Sequence, residues 1–134
     1  MAVGAVLTKN GFNSSVDRIF NSATAISVPS RFSIGTGTTT PTETDTGIET
    51  IIAAWNSGSN FKDYVTGYPT YDTANQRVTV QGFISSTQAN ANSITEVGDL
   101  NTDGTPIMFT HIVTSAISKT NKTQIYITTT FGRA

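Results

Sequence analysis

Residues 125–131, Ile-Tyr-Ile-Thr-Thr-Thr-Phe, put Ile125, Ile127, Thr129 and Phe131 on one side and Tyr126, Thr128 and Thr130 on the other. A period of two belongs to an extended strand with one face on a core and the other in water. Arg77-Val78-Thr79-Val80-Gln81 alternates in the same way and continues through Phe83-Ile84-Ser85, with a bulge expected at Gly82. Shorter runs at 31–34, 93–97, 107–116 and 124–131 also read as strands. A chain with this many extended segments is committed largely to sheet. Its 25 threonines agree, because β-branched side chains suit a pleated surface and their hydroxyls suit water without charge.

Two stretches break that pattern. Phe12, Val16, Ile19 and Phe20 recur at helical spacing behind the capping candidates Asn13 and Ser14, which predicts a short helix with a narrow apolar face. An apolar patch at 25–28 follows, stopped by Pro29. Residues 35–44, Gly-Thr-Gly-Thr-Thr-Thr-Pro-Thr-Glu-Thr, form a loop on composition. Ile48, Ile51, Ile52 and Trp55 then predict a second helix, with Thr46 and Glu49 as its capping box and Gly58 at its end. The expected fold is mainly β: an antiparallel β-sandwich or barrel-like sheet with one or two short helices in the N-terminal half. At 134 residues the chain has room for one domain, 1–134, divided into an N-terminal segment 1–30 and a β-rich body 31–134.

Charged residues make up only 13% and the net charge is −1, so neither nucleic acid nor an anionic membrane finds a basic surface to bind. The absence of cysteine excludes disulfides and thiolate chemistry. No basic region precedes the apolar residues of Met-Ala-Val-Gly-Ala-Val-Leu-Thr-Lys-Asn-Gly-Phe, and no run approaches the roughly 18 apolar residues that span a bilayer, so neither a signal peptide nor a membrane span is expected. Asn13-Ser14-Ser15 and Asn121-Lys122-Thr123 fit the glycosylation sequon, which a chain rich in these residues meets by chance.

Asp99, Asn101, Asp103 and Gly104 match the first half of an EF-hand loop, but its twelfth position holds Thr110 where a bidentate Glu is needed, and both flanks read as strands. Asn101-Thr102-Asp103-Gly104 is therefore read as a turn between strands, and no metal site is expected. Gly35-Thr36-Gly37-Thr38-Thr39 lacks the third glycine and the helix start of a dinucleotide-binding turn, and no P-loop lysine follows. His111 is the only histidine and has no nucleophile motif around it. The carboxylate pairs Asp45 with Glu49 and Glu96 with Asp99 have the residue types of acid–base chemistry but sit at a helix cap and beside a turn. Glu96, between Ile94 and Val97, would need a hydrogen-bonding partner if buried, with Arg31 or Arg77 as candidates. No catalytic, cofactor-binding or metal residue is assigned, and an enzyme is not expected.

The segments at 30–50, 93–112 and 117–131 carry a pattern formed by Gly35, Gly37, Thr38, Pro41, Asp45, Thr46, Glu96, Val97, Gly98, Gly104, Lys119 and Thr120. This pattern resembles that of small tailed-bacteriophage virion proteins and tail-fibre-like modules. Ile48 stands where Leu is common in the family, and Asp99 where a hydrophobic residue often stands.

The resemblance implies a non-enzymatic part of a virion, assembled in the host cytoplasm. The first expectation is a capsid decoration or auxiliary protein that binds the major capsid shell, docked through residues 1–30 and forming a homo-oligomer, for example a trimer. A tail, baseplate or fibre-associated role is the alternative. So is a carbohydrate-binding β-module using Trp55, Tyr64, Tyr68 and Tyr71, although Trp55 lies at core spacing.

Overall fold

The computed structural model describes residues 4–20 and 26–132. Met1 to Val3 and Ala25, which belong to segments read above, lie outside the described residues. The chain runs β1 (Gly4–Leu7), α1 (Lys9–Phe20), β2 (Arg31–Gly35), β3 (Lys62–Asp63), β4 (Thr70–Asp72), β5 (Arg77–Ile84), β6 (Ser93–Leu100), β7 (Met108–Ser118) and β8 (Ile125–Gly132). These strands form two antiparallel sheets, ordered β1-β7-β6-β2-β3 and β4-β5-β8. The fold is thus mainly β and sandwich-like, as the period-two segments require. No helix among the described residues is long and apolar enough to cross a membrane.

The core lies between the sheets. Phe32, Ile34, Ile94 and Val97 come from the larger sheet, Ile84 and Ile125 from the smaller, and Ile52 and Trp55 from the connection between β2 and β3. Phe32 and Trp55 meet with ring centroids 5.4 Å apart. The alternation at the chain's end holds throughout β8, whose inner residues are more buried than Tyr126, Thr128 and Thr130. On the outer face Thr79 and Gln81 reach Thr130 and Thr128 across the β5–β8 pair.

Two details differ from the sequence reading. The β5–β8 register runs unbroken through Gly82, so no bulge lies there. Gly82 instead makes room for Phe32, whose ring would lie 2.6 Å from an added Cβ. The register shifts fall in the β6–β7 pair, between Ile94 and Glu96 and between Asp99 and Leu100.

The second helix is absent. Residues 48–55 cross the edge of the larger sheet: Thr36 N–H donates to Thr50 O, Ile52 N–H donates to Ile34 O, and Ile51 bridges Gly35. These bonds extend the edge of β2, taking backbone groups that a helix would have paired within itself. Glu49, read as a capping residue, accepts from the N–H and hydroxyl of Thr39. Gly58 has φ +93° in a tight turn rather than at a helix end. The helical spacing arose because Ile48 lies over Gly98 while Ile52 and Trp55 reach the core between the sheets.

The helix α1 forms, but starts four residues before the expected caps. Thr8 is the cap, its Oγ1 accepting from Gly11 N–H at 3.0 Å and its hydroxyl donating to the Met108 carbonyl. Gly11 and Ser14 are the helix's buried residues, and Gly11 lies directly on the backbone of Phe109. The small side of the helix therefore meets β7, and its apolar stripe points out.

That contact reverses an ordinary expectation. In an exposed helix Gly→Ala stabilises by about 1 kcal/mol. At Gly11 the new Cβ would lie 2.5 Å from Phe109 Cα, so Gly11→Ala is expected to destabilise by about 1–3 kcal/mol, read as a lower urea midpoint.

Candidate functional site

The outer face of the larger sheet holds a charge cluster assembled from three parts of the chain. Glu96 on β6 and His111 on β7 are diagonal neighbours across the pair, since Gly98 lies opposite His111 and Val113 opposite Glu96. Glu96 is fully buried. Its Oε2 accepts from Gly37 N–H at 2.8 Å and Thr50 N–H at 3.1 Å, and its Oε1 from Glu49 N–H at 2.6 Å. The His111 Nε2 lies 2.8 Å from Oε1 and supplies the fourth contact. Four donors on two oxygens saturate the carboxylate, the condition for holding it away from water.

The other ring nitrogen of His111 is also taken. Nδ1 lies 2.6 Å from Asp45 Oδ2, and Asp45 is further held by the Thr42 N–H and hydroxyl. Partial burial pushes the Asp45 carboxyl upward, but the Thr42 hydrogen bonds and His111 outweigh it and hold it below its ordinary value. Both ring nitrogens of His111 are thus closed by carboxylate oxygens. Gly35 and Gly37 make this possible, because a Cβ at either would collide with Glu96 Oε2.

A depression of about 400 Å³ opens beside the cluster, rimmed by Thr39, Thr42, Asp45, Glu49 and His111. Hydrogen bonds from the Thr39 hydroxyl and N–H hold Glu49 below its ordinary value. A His working as a general base presents one nitrogen to a nucleophile or a substrate while a carboxylate orients the other. Here carboxylates close both. The geometry is that of a clamp, which fixes the segment 36–50 against the sheet through Gly37, Asp45, Glu49 and Thr50.

The expected Glu96–Asp99 pair is split between two faces. Asp99 points between the sheets, where it accepts from Tyr64 Oη at 2.8 Å and Thr110 Oγ1 at 2.6 Å. Burial raises its pKa, against the lowering pull of those two hydrogen bonds. Tyr64 is raised in turn, by burial and then by the Asp99 charge. Asp45 and Glu49 do share a rim, but each is occupied, by His111 and by Thr39. Neither candidate partner of Glu96 reaches it: Arg31 donates to Asn101 O and lies over the Phe61 ring, and Arg77 begins β5 in the other sheet.

The EF-hand-like residues form the β6–β7 turn. Asn101 Oδ1 accepts from Ile107 N–H at 2.9 Å, its Nδ2 donates to Asp103, and Asp103 accepts from Ser27. Asp99 faces away from both, and no cluster of three or more potential ligands exists among the described residues. Trp55 is buried and donates to Asn60 O, Tyr64 is engaged with Asp99, and Tyr71 lies exposed on β4. Tyr68 is half-buried, and Trp55, being buried, offers no stacking face.

Sequence reasoning placed Glu96 in an apolar neighbourhood but missed His111 as its partner. Two residues on neighbouring strands carry no local signal of pairing. Gly35, Gly37, Asp45 and Glu96, all named in the pattern set out above, meet at this clamp. No family model, curated protein or solved structure matches the chain.

Glu96→Gln places an amide NH₂ among backbone N–H donors and is expected to cost about 2–4 kcal/mol. Hydrogen exchange should show Gly37, Glu49 and Thr50 losing protection first. Asp99 gives a separate pH signature. Its folded pKa lies above the unfolded value of about 3.9, so its contribution is full below that value and declines as pH rises through the raised one. Asp99→Asn is expected to flatten this decline in urea titrations run upward from about pH 4.

Proposed function

We propose that this chain is a non-enzymatic structural component of a tailed-phage virion, a decoration protein that binds the exterior of the major capsid shell through α1. The observation that carries this reading is the orientation of that helix. Phe12, Val16, Ile19 and Phe20 are 56%, 37%, 73% and 83% exposed, while Gly11 and Ser14 face the sheet. An amphipathic helix ordinarily buries its apolar stripe against its own fold. This one is anchored by small residues and offers the stripe to a partner, as a helix laid into a groove does.

The clamp supports the same reading. His111 serves architecture, and the threonine-rich, nearly neutral surface suits repeated contacts between subunits more than the focusing of a charged ligand. The resemblance to small virion proteins and fibre-like modules names the assembly.

Cryo-microscopy of the parent virion tests the assignment. The expected result is density for the sandwich at regular positions outside the shell, with α1 toward the capsid. Density in the tail or baseplate, or none in the particle, would overturn it. A paired Ile19→Ser and Phe20→Ser variant is expected to keep the urea midpoint within about 0.5 kcal/mol of wild type, because both side chains are exposed, yet to be lost from purified particles.

A further inference from the structure

The four outer edges of the two sheets are not alike. β3 is a two-residue edge carrying Lys62 and Asp63, β4 has three residues with Asp72 among them, and β1 has four. Short length and charge are the usual protections against edge-to-edge pairing. β8 has neither. Its eight residues, Ile-Tyr-Ile-Thr-Thr-Thr-Phe-Gly, contain no charge and no proline, and they pair with β5 without a register break. No described strand lies on its other side. Every second residue of β8 therefore turns its N–H and C=O away from β5 with no strand to receive them.

The inner side of this edge is also open. A crevice of about 300 Å³ separates β8 from β1 and β7 and is bounded by Leu7, Ile112, Thr129 and Phe131. A second, of about 240 Å³, lies further along β8 beside Ile94, Ile117 and Ile127.

We infer that β8 is a homodimer edge, pairing antiparallel with β8 of a second copy to join two three-stranded sheets into one of six. The strand is its own best complement. It brings no like charges together, and a two-fold axis normal to the sheet satisfies both edges with one contact. The register follows from the faces. Residues opposite one another in an antiparallel pair share a face, so the inner set Ile125, Ile127, Thr129 and Phe131 must meet the same set in the partner. Centring the axis on Thr128 pairs all four, Ile125 with Phe131 and Ile127 with Thr129, whereas centring it on Thr129 leaves Ile125 unpaired. Thr128 then faces its own copy on the solvent side, and the partner's Phe131 and Ile125 lie toward the two crevices. The inference concerns an edge remote in sequence from α1 and holds whether or not the chain belongs to a virion.

Sedimentation of the full chain across the micromolar range is expected to show a dimer. Thr128 is exposed, so Thr128→Lys should leave circular dichroism unchanged while setting two ammonium groups across the axis, weakening association about fivefold. The wild-type chain has no cysteine, and Thr128→Cys is expected to cross-link to itself under mild oxidation because the two Cβ atoms would lie about 5 Å apart. A monomer at every concentration, an odd-numbered ring, a dimer abolished by Ile19→Ser, or a dimer that Thr128→Lys leaves unchanged and Thr128→Cys does not link would each overturn the inference.

Discussion

A single buried carboxylate organises one side of this molecule. An ionised group without solvent is costly unless donors surround it, and Glu96 obtains them from Gly37, Glu49, Thr50 and His111. Three of the four are backbone N–H groups in a stretch with no regular secondary structure. The path of residues 36–50 is therefore ordered by convergence on one charge. The effect passes through the sheet, because the same stretch leads by the Gly35–Ile51 bridge to Ile52 and Trp55, which complete the core on the opposite face.

Asp99, three residues along the same strand, shows how much the donor set matters. An odd offset sends it to the inner face, where two hydroxyls take the place of backbone amides and an imidazole. Its burial raises the pKa, whereas Asp45, at the solvent end of the Glu96 cluster, is lowered. The two carboxyl groups, one on β6 and one in the loop that closes over it, are thus shifted in opposite directions.

The parts of the fold that were legible in the sequence follow from local periodicity. Alternation along β5 and β8 identified both strands and the inner face of β8, and Asn101 to Gly104 was readable as a turn because its residues tolerate tight bends. The helix expected over 48–55 failed for a physical reason. Ile48 is half-buried on one face of a sheet and Trp55 buried on the other, and a chain crossing an edge can imitate helical spacing while its backbone bonds to that edge. The glutamate clamp was legible only as a demand, since an apolar neighbourhood implies that Glu96 needs a partner. Backbone donors leave no mark in a sequence, and His111 lies on another strand. The spacing in α1 gave the helix but not its orientation, which depends on Gly11 and Ser14 fitting against Phe109.

That orientation separates two duties that most helices combine. Folding draws on the glycine side, where backbone meets backbone, and leaves the outward side chains free of any role in the sandwich. Substitutions there carry little penalty for stability, so that surface can vary while the scaffold beneath stays constant. A lineage built on such a helix could change that face far faster than it changes shape.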